Sequence, residues 1–202
     1  MNTNLPHHGL PTDVDATEAT EDAQTVLIPI VEGYGPHQKT LYLGNLTAAE
    51  DADALMAADI TESLNVSINI FPLPLVLPDG TNIRRTQIGM IDGPGNSPWL
   101  LASAVMALEG MMHGYIAGKP HYPQHHCGNI LLHCRGGRSR SVTVLALWLA
   151  TFCPERFASF EAAITFLRQL RPLPQSYPLP GMMALADAVI TDQLLARRTQ
   201  ET

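Results

Sequence analysis

The stretch Gly128-Asn-Ile-Leu-Leu-His-Cys-Arg-Gly-Gly-Arg-Ser-Arg-Ser141 passes from a short apolar run into a thiol and then a glycine-rich turn. Asn129 to Leu132 suit a buried strand, and Ser141-Val-Thr-Val-Leu-Ala-Leu-Trp-Leu-Ala150 reads as a buried helix, so the intervening loop lies at a helix N-terminus. Backbone N–H groups converge there and the helix dipole adds partial positive charge, which makes the loop a site for a phosphate, sulfate or arsenate. Gly136 and Gly137 let the backbone curl around such an ion.

Cys134 begins this loop, where the dipole together with Arg135, Arg138 and Arg140 favours thiolate over thiol and so makes a nucleophile at neutral pH. Arg140, six residues on, is spaced to fold back over the loop and hold two equatorial oxygens of a phosphoryl group by paired hydrogen bonds, a geometry that lysine cannot copy. Ser141 is placed to donate its hydroxyl to the sulfur and improve it as a leaving group. His133 is placed to hydrogen-bond the loop backbone and fix its shape.

The pattern His133-Cys134-x5-Arg140-Ser141 resembles the signature of the cysteine-based protein phosphatases, specifically the compact dual-specificity branch. Leu41-Tyr-Leu-Gly-Asn45 followed by Ala48-Ala-Glu-Asp51 is similar to that branch's opening strand and first helix, and Ile60-Thr-Glu-Ser-Leu-Asn-Val-Ser67 to its next strand. Arg171-Pro172 resembles the end of the helix that follows the signature. The similarity covers roughly residues 25 to 195. It implies a catalytic domain over 25–197, with 1–24 an acidic disordered arm and 198–202 a short tail. The residues binding phosphate would be His133, Cys134, Arg135, Gly136, Gly137, Arg138, Ser139 and Arg140. The implied reaction hydrolyses a phosphomonoester through a cysteinyl-phosphate. Its substrates are phosphorylated proteins, carrying phosphotyrosine and phosphoserine or phosphothreonine in a shallow pocket. No metal or cofactor is required, because Arg140 and the loop amides neutralise the developing charge.

The departing alkoxide must be protonated, and in the family this acid is an aspartate on a separate loop. Asp92, in Gly89-Met-Ile-Asp-Gly-Pro-Gly95, lies at the matching place, before a helix expected from Pro98 to about Ala117; Asp79 is the reserve candidate. The interval to Cys134 is longer than usual, with the excess in Gly118-Lys-Pro-His-Tyr-Pro-Gln-His-His-Cys-Gly128. That insertion reads as a lid, a docking surface or neither. Its His121, His125, His126 and Cys127 resemble metal ligands in type, but their spacing matches no zinc pattern, and a solvated histidine-rich loop is the simpler account.

Three other readings compete. A rhodanese-like sulfurtransferase also uses a thiolate at a helix N-terminus, but its second arginine belongs at the fifth place after the cysteine, where this chain has Ser139. A dead phosphate-binding module would lack the nucleophile or its arginine, and both are present. A phosphatase acting on phosphoinositides or RNA 5'-phosphates shares the chemistry and often has a basic loop, as Arg135 and Arg138 make this one.

The composition agrees with one domain of 202 residues with a substantial core. A net charge of −7 argues against general nucleic-acid binding. Much of it lies in Asp13-Val-Asp-Ala-Thr-Glu-Ala-Thr-Glu-Asp22, which lacks the apolar core of a secretory signal and reads as disordered. No stretch has the length and apolarity of a membrane span, since Glu109 and His113 interrupt Trp99 to Ala117. Three cysteines argue against a disulfide framework and for a reducing, cytoplasmic setting. Cys127 lies roughly 20 Å from Cys134 along an extended strand, and Cys153 about 18 Å away past a helix, so both read as structural.

Elsewhere, Thr47-x-x-Glu50 predicts a capping box for a helix to about Ala58. Phe157 to Leu170 and Gly181 to Ala196 predict two more helices, joined by the proline-rich Leu173-Pro-Gln-Ser-Tyr-Pro-Leu-Pro180, which reads as a packed loop rather than a docking motif. The alternation predicts an α/β fold: a central, mainly parallel twisted sheet flanked by helices, with the reactive loop at the carboxyl end of a strand.

Overall fold

Asn129–His133 (β5) is the middle strand of a five-stranded sheet in the computed structural model, which describes residues 16–196. Its neighbours are Lys39–Gly44 (β2) and Ile60–Ser67 (β3), both parallel to it. Outside β3 lies Arg84–Met90 (β4), also parallel; outside β2 lies Leu27–Tyr34 (β1), which is antiparallel. The expected α/β architecture is therefore present, with one antiparallel edge pair. Ile130 and Leu132 face a core containing Leu101, Leu108, Val144, Trp148 and Leu167, whereas Leu131 faces Ala49, Leu55, Ile60 and Ile83 on the other side of the sheet. A parallel strand buried on both faces has no use for polar alternation, which is why β5 is a continuous apolar run.

Arg140–Phe152 (α5) follows the reactive loop, and every residue from Arg140 to Leu149 is buried. It packs among Pro98–His113 (α4), Phe160–Leu170 (α6) and Pro180–Thr191 (α7). A helix enclosed on all sides can be apolar all round.

The structure corrects several local expectations. Leu46–Glu50 (α2) and Ala52–Ala57 (α3) replace the single helix, because Asp51 leaves the helical region and caps α3 by accepting from the Ala54 N–H at 3.0 Å. The first cap is Asn45, which accepts from the Ala48 N–H at 2.9 Å; Thr47 lies inside α2 and gives its hydroxyl to the Asp22 carbonyl. Asn at an N-cap matches Ser and exceeds Thr in strength, so the capping-box reading picked the wrong cap residue. Helix α4 ends at His113, before Gly114, and α7 ends at Thr191. Arg171 is the C-cap of α6, the second helix after the loop rather than the first.

The largest correction concerns the arm. Ala16–Asp22 forms a helix (α1), and residues 23–26 lead from it into β1; residues 1–15 and 197–202, the remainder of the arm and the tail, lie outside the described residues. The helix α1 buries none of its residues and is held by charge. Its carboxylates pair with Arg135, Arg138 and Arg171, while the backbone carbonyls of Asp22 and Gln24 accept from Thr47 and Asn45. Low hydrophobicity removes one reason to fold, but it is silent about distant arginines.

The insertion lies at the end of the sheet opposite the reactive loop. Asn129 at the start of β5 pairs with Ile60 at the start of β3, whereas the reactive loop begins after His133 at the far end. Five strand residues separate the two by about 16 Å. The insertion is tied down there: His126 bridges Asp59 and Thr81, His125 contacts the Thr61 carbonyl, and the Tyr115 ring stacks on His125. Among the described residues, no group of three or more metal-ligating side chains converges, and no helix is long and apolar enough to cross a membrane.

Candidate active site

The loop 134–139 has no room for ordinary side chains at two points. Gly137 adopts a φ of 67°, and a Cβ there would come within 2.7 Å of the Gly44 carbonyl oxygen. Gly136 carries the arm's contacts across its face, since a Cβ would meet the Arg138 guanidinium at 2.5 Å and an Asp22 carboxylate oxygen at 2.8 Å. The loop is also pinned from outside: the Leu46 N–H donates to the Arg135 carbonyl at 2.9 Å, and the Leu179 N–H donates to the Ser139 hydroxyl at 3.1 Å.

Cys134 lies at the floor of a cavity of about 370 Å³ lined by the loop and by Ile68, Asn69, Ile91, Asp92, Tyr177 and Leu179, with Glu18 of α1 also contributing. Its Sγ is 3.2 Å from the Ser141 hydroxyl. Burial pushes the thiol pKa up, and Asp92 adds to that. Arg140 and hydrogen bonds from the Ser141 hydroxyl and N–H outweigh them and hold it below the ordinary thiol value. The two remaining thiols are driven the other way. Cys153, at the C-cap of the same helix, is pushed up to about 11 by burial and then by Glu155, and Cys127 is raised chiefly by burial. All three cysteines are free. At pH 6.5, iodoacetate is therefore expected to label Cys134 and to leave Cys127 and Cys153 unmodified, read by peptide mass mapping. Equal labelling of all three would refute the electrostatic ranking.

His133 is fully buried, and its pKa falls to about 4 through desolvation first and Arg85 second. Its ring is therefore neutral. The Nδ1–H donates to the Cys134 carbonyl at 3.2 Å and ties the end of β5 to the loop.

Arg140 is buried at the entrance of α5, where its Nη1 donates to the Met90 carbonyl at 3.3 Å. Its Nε lies 3.4 Å from the Asp92 carboxylate. Asp92 follows β4 on a tight loop held by one side chain: Asn96 accepts from the Ile91 N–H at 2.8 Å and donates to the Ile91 and Gly93 carbonyls. Gly181 allows α7 to press on this loop, since a Cβ there would reach Gly93 and Pro94 at under 3 Å. One Asp92 oxygen is buried with no hydrogen-bond partner among the described residues, as suits a group facing a ligand. Asp79 is elsewhere, exposed in a turn where it accepts from the Thr81 N–H and hydroxyl at 2.9 and 3.0 Å. Cys134, Arg140, Asp92 and Ser141 are thus brought together, and Asp79 is not.

Several lining residues had no mark in the sequence. Ile68 and Asn69 follow β3, in a segment fixed by Asn65 donating to the Ile70 carbonyl at 2.6 Å. Tyr177 and Leu179 come from the proline-rich connection, which packs on the site and is held by Arg168 donating to the Tyr177 carbonyl at 2.8 Å. Glu18 accepts from the Tyr177 hydroxyl at 2.7 Å, closing one side of the cavity.

No family model matches the sequence, and no curated protein does. Solved structures do match its fold. Human DUSP28 is 23% identical, with a TM-score of 0.56, over 83% of this chain and 94% of that one. The Yvh1 phosphatase domain from Chaetomium thermophilum is 20% identical, with a TM-score of 0.59, over 84% and 97%. A mouse putative dual specificity phosphatase complexed with zinc tungstate is 24% identical, with a TM-score of 0.54, over 76% and 86%. Through agreement over nearly the whole of those domains, this chain is seen to have the dual-specificity phosphatase fold.

Proposed function

We propose that the protein hydrolyses phosphomonoesters through a cysteinyl-phosphate, acting on phosphotyrosine and phosphoserine or phosphothreonine in proteins. The observation that carries this reading is the convergence of a thiol of depressed pKa, a buried guanidinium and a carboxylate on one cavity at a helix N-terminus. In the first step the Cys134 thiolate attacks phosphorus, the P–O ester bond breaks, and Asp92 gives its proton to the departing oxygen. The loop amides and Arg140 hold the equatorial oxygens throughout. In the second step Asp92, now a carboxylate, takes a proton from water as that water attacks phosphorus. The S–P bond breaks, and the Ser141 hydroxyl, 3.2 Å from Sγ, stabilises the returning thiolate.

The fold's likeness to phosphatases supports this reading, and one structure of that fold is complexed with zinc tungstate, whose tungstate is a tetrahedral oxyanion like phosphate. The test is phosphate release from para-nitrophenyl phosphate in the presence of a chelator. Turnover without metal and inhibition by vanadate are expected. Well-folded protein that releases no phosphate but transfers sulfur from thiosulfate to cyanide would overturn the proposal.

A further inference from the structure

Among the described residues, four guanidiniums surround the loop; three of them take their anionic partners from α1, and the fourth, Arg140, faces Asp92 inside the cavity. The Nη2 of Arg138 meets Asp22 at 2.6 Å and Glu18 at 3.4 Å, and its Nη1 meets Glu21 at 2.6 Å. Arg135 meets Asp22 at 3.0 Å, and Arg171 meets Glu21 at 2.6 Å. Arg171 also donates to the Gly136 carbonyl, so the same network grips the loop backbone. Glu21 is held below the usual carboxylate range, first by Arg171 and then by Arg138, and is charged at neutral pH. Three carboxylates of α1 thus face three guanidiniums and none of them reaches Arg140, whose acidic neighbour is Asp92. Apart from Asp92, the remaining wall is apolar or neutral, from Ile68, Ile91, Leu179, Asn69 and Tyr177.

We infer that α1 is a specificity element: Glu18, Glu21 and Asp22 cancel the positive rim of the cavity and restrict it to singly phosphorylated substrates. Polyphosphorylated inositides and oligonucleotide 5'-phosphates are thereby rejected. This rests on the phosphomonoester reading above. The reason is competition. A second phosphate at the rim must displace carboxylates already paired with Arg135 and Arg138 within 3.4 Å, and it meets the displaced charges as neighbours. The basic loop, which in the sequence suits a polyanion, is neutralised by a segment more than a hundred residues earlier.

Calorimetry of inorganic phosphate and of inositol hexakisphosphate, on wild type and on the E18Q/E21Q/D22N variant, tests this without depending on turnover. The ratio of the two dissociation constants cancels any general change in access or in loop geometry. In the variant, preference for the hexakisphosphate over phosphate is expected to rise by about tenfold or more at low ionic strength and to shrink as salt is added. The backbone carbonyls that tie α1 to Asn45 and Thr47 are untouched by these substitutions. Should the triple variant nonetheless melt early, Glu18→Gln alone, which removes the negative charge facing Arg138, is expected to raise the ratio by roughly threefold. An unchanged ratio in folded variants, or wild type that already prefers the hexakisphosphate strongly, would overturn the inference. Failure of the phosphatase reading has a different signature, namely no hydrolysis of para-nitrophenyl phosphate by wild type whatever the ratio does.

Discussion

Cys134→Ser is expected to lower turnover of para-nitrophenyl phosphate by more than about a thousandfold while leaving the affinity for inorganic phosphate nearly intact. The split reflects which groups do what. In the proposed mechanism anion binding comes from the loop amides and Arg140, which a serine does not disturb. Nucleophilicity comes from the thiolate, and a hydroxyl in the same place stays protonated at neutral pH even with Arg140 and Ser141 beside it. Steady-state rates and calorimetry on the same preparation decide the matter. Residual turnover above about one part in a hundred would mean that another group carries out the attack.

Asp92→Asn is expected to separate substrates by the basicity of their leaving groups. On an alkyl phosphate such as a phosphothreonine peptide, the departing alkoxide needs a proton, and the loss should be about a hundred- to thousandfold. On para-nitrophenyl phosphate the phenolate leaves unaided and the loss should be smaller by at least about tenfold. Asparagine is nearly isosteric with aspartate, so the hold of Asn96 on the 91–96 loop survives the change. Equal losses on the two substrates would assign Asp92 to positioning Arg140, 3.4 Å away, and remove it as the general acid.

The floor of the cavity was legible in the sequence because its chemistry is local. A strand, a thiol, two glycines, an arginine and a serine must come one after another at fixed separations to curl a loop onto a helix N-terminus, and that order is written from Asn129 to Ser141. Asp92 was reachable because Asp-Gly-Pro-Gly after an apolar segment marks a loop at a strand's carboxyl end. The walls were not legible. Tyr177 lies in a connection that reads as a packed loop, but the contacts of Arg168 and Ser139 that pack it on the site are tertiary and leave no local mark. The helix α1 was misread for a related reason: composition reports the apolar surface a segment can bury, but the arm is held by ion pairs whose cations lie between positions 135 and 171. The insertion was left open, as a lid, a docking surface or neither. Spacing along the chain does not say which end of the sheet a loop occupies; a parallel strand carries the chain from one end to the other, so β5 holds the insertion a strand's length away from the reactive loop.

The hydrogen bond from Tyr177 to Glu18 joins residues 159 positions apart, and Glu21 reaches Arg171 across 150. A chain emerging from the ribosome therefore completes its reactive loop before its selective rim. Until Arg171 and Tyr177 are in place, α1 has the loop arginines but no far anchor, and the half-built site is more open to crowded anions than the finished one. A tag fused just ahead of Ala16 would adjoin the helix that carries Glu18, Glu21 and Asp22, and so belongs away from that end in any test of phosphate selectivity.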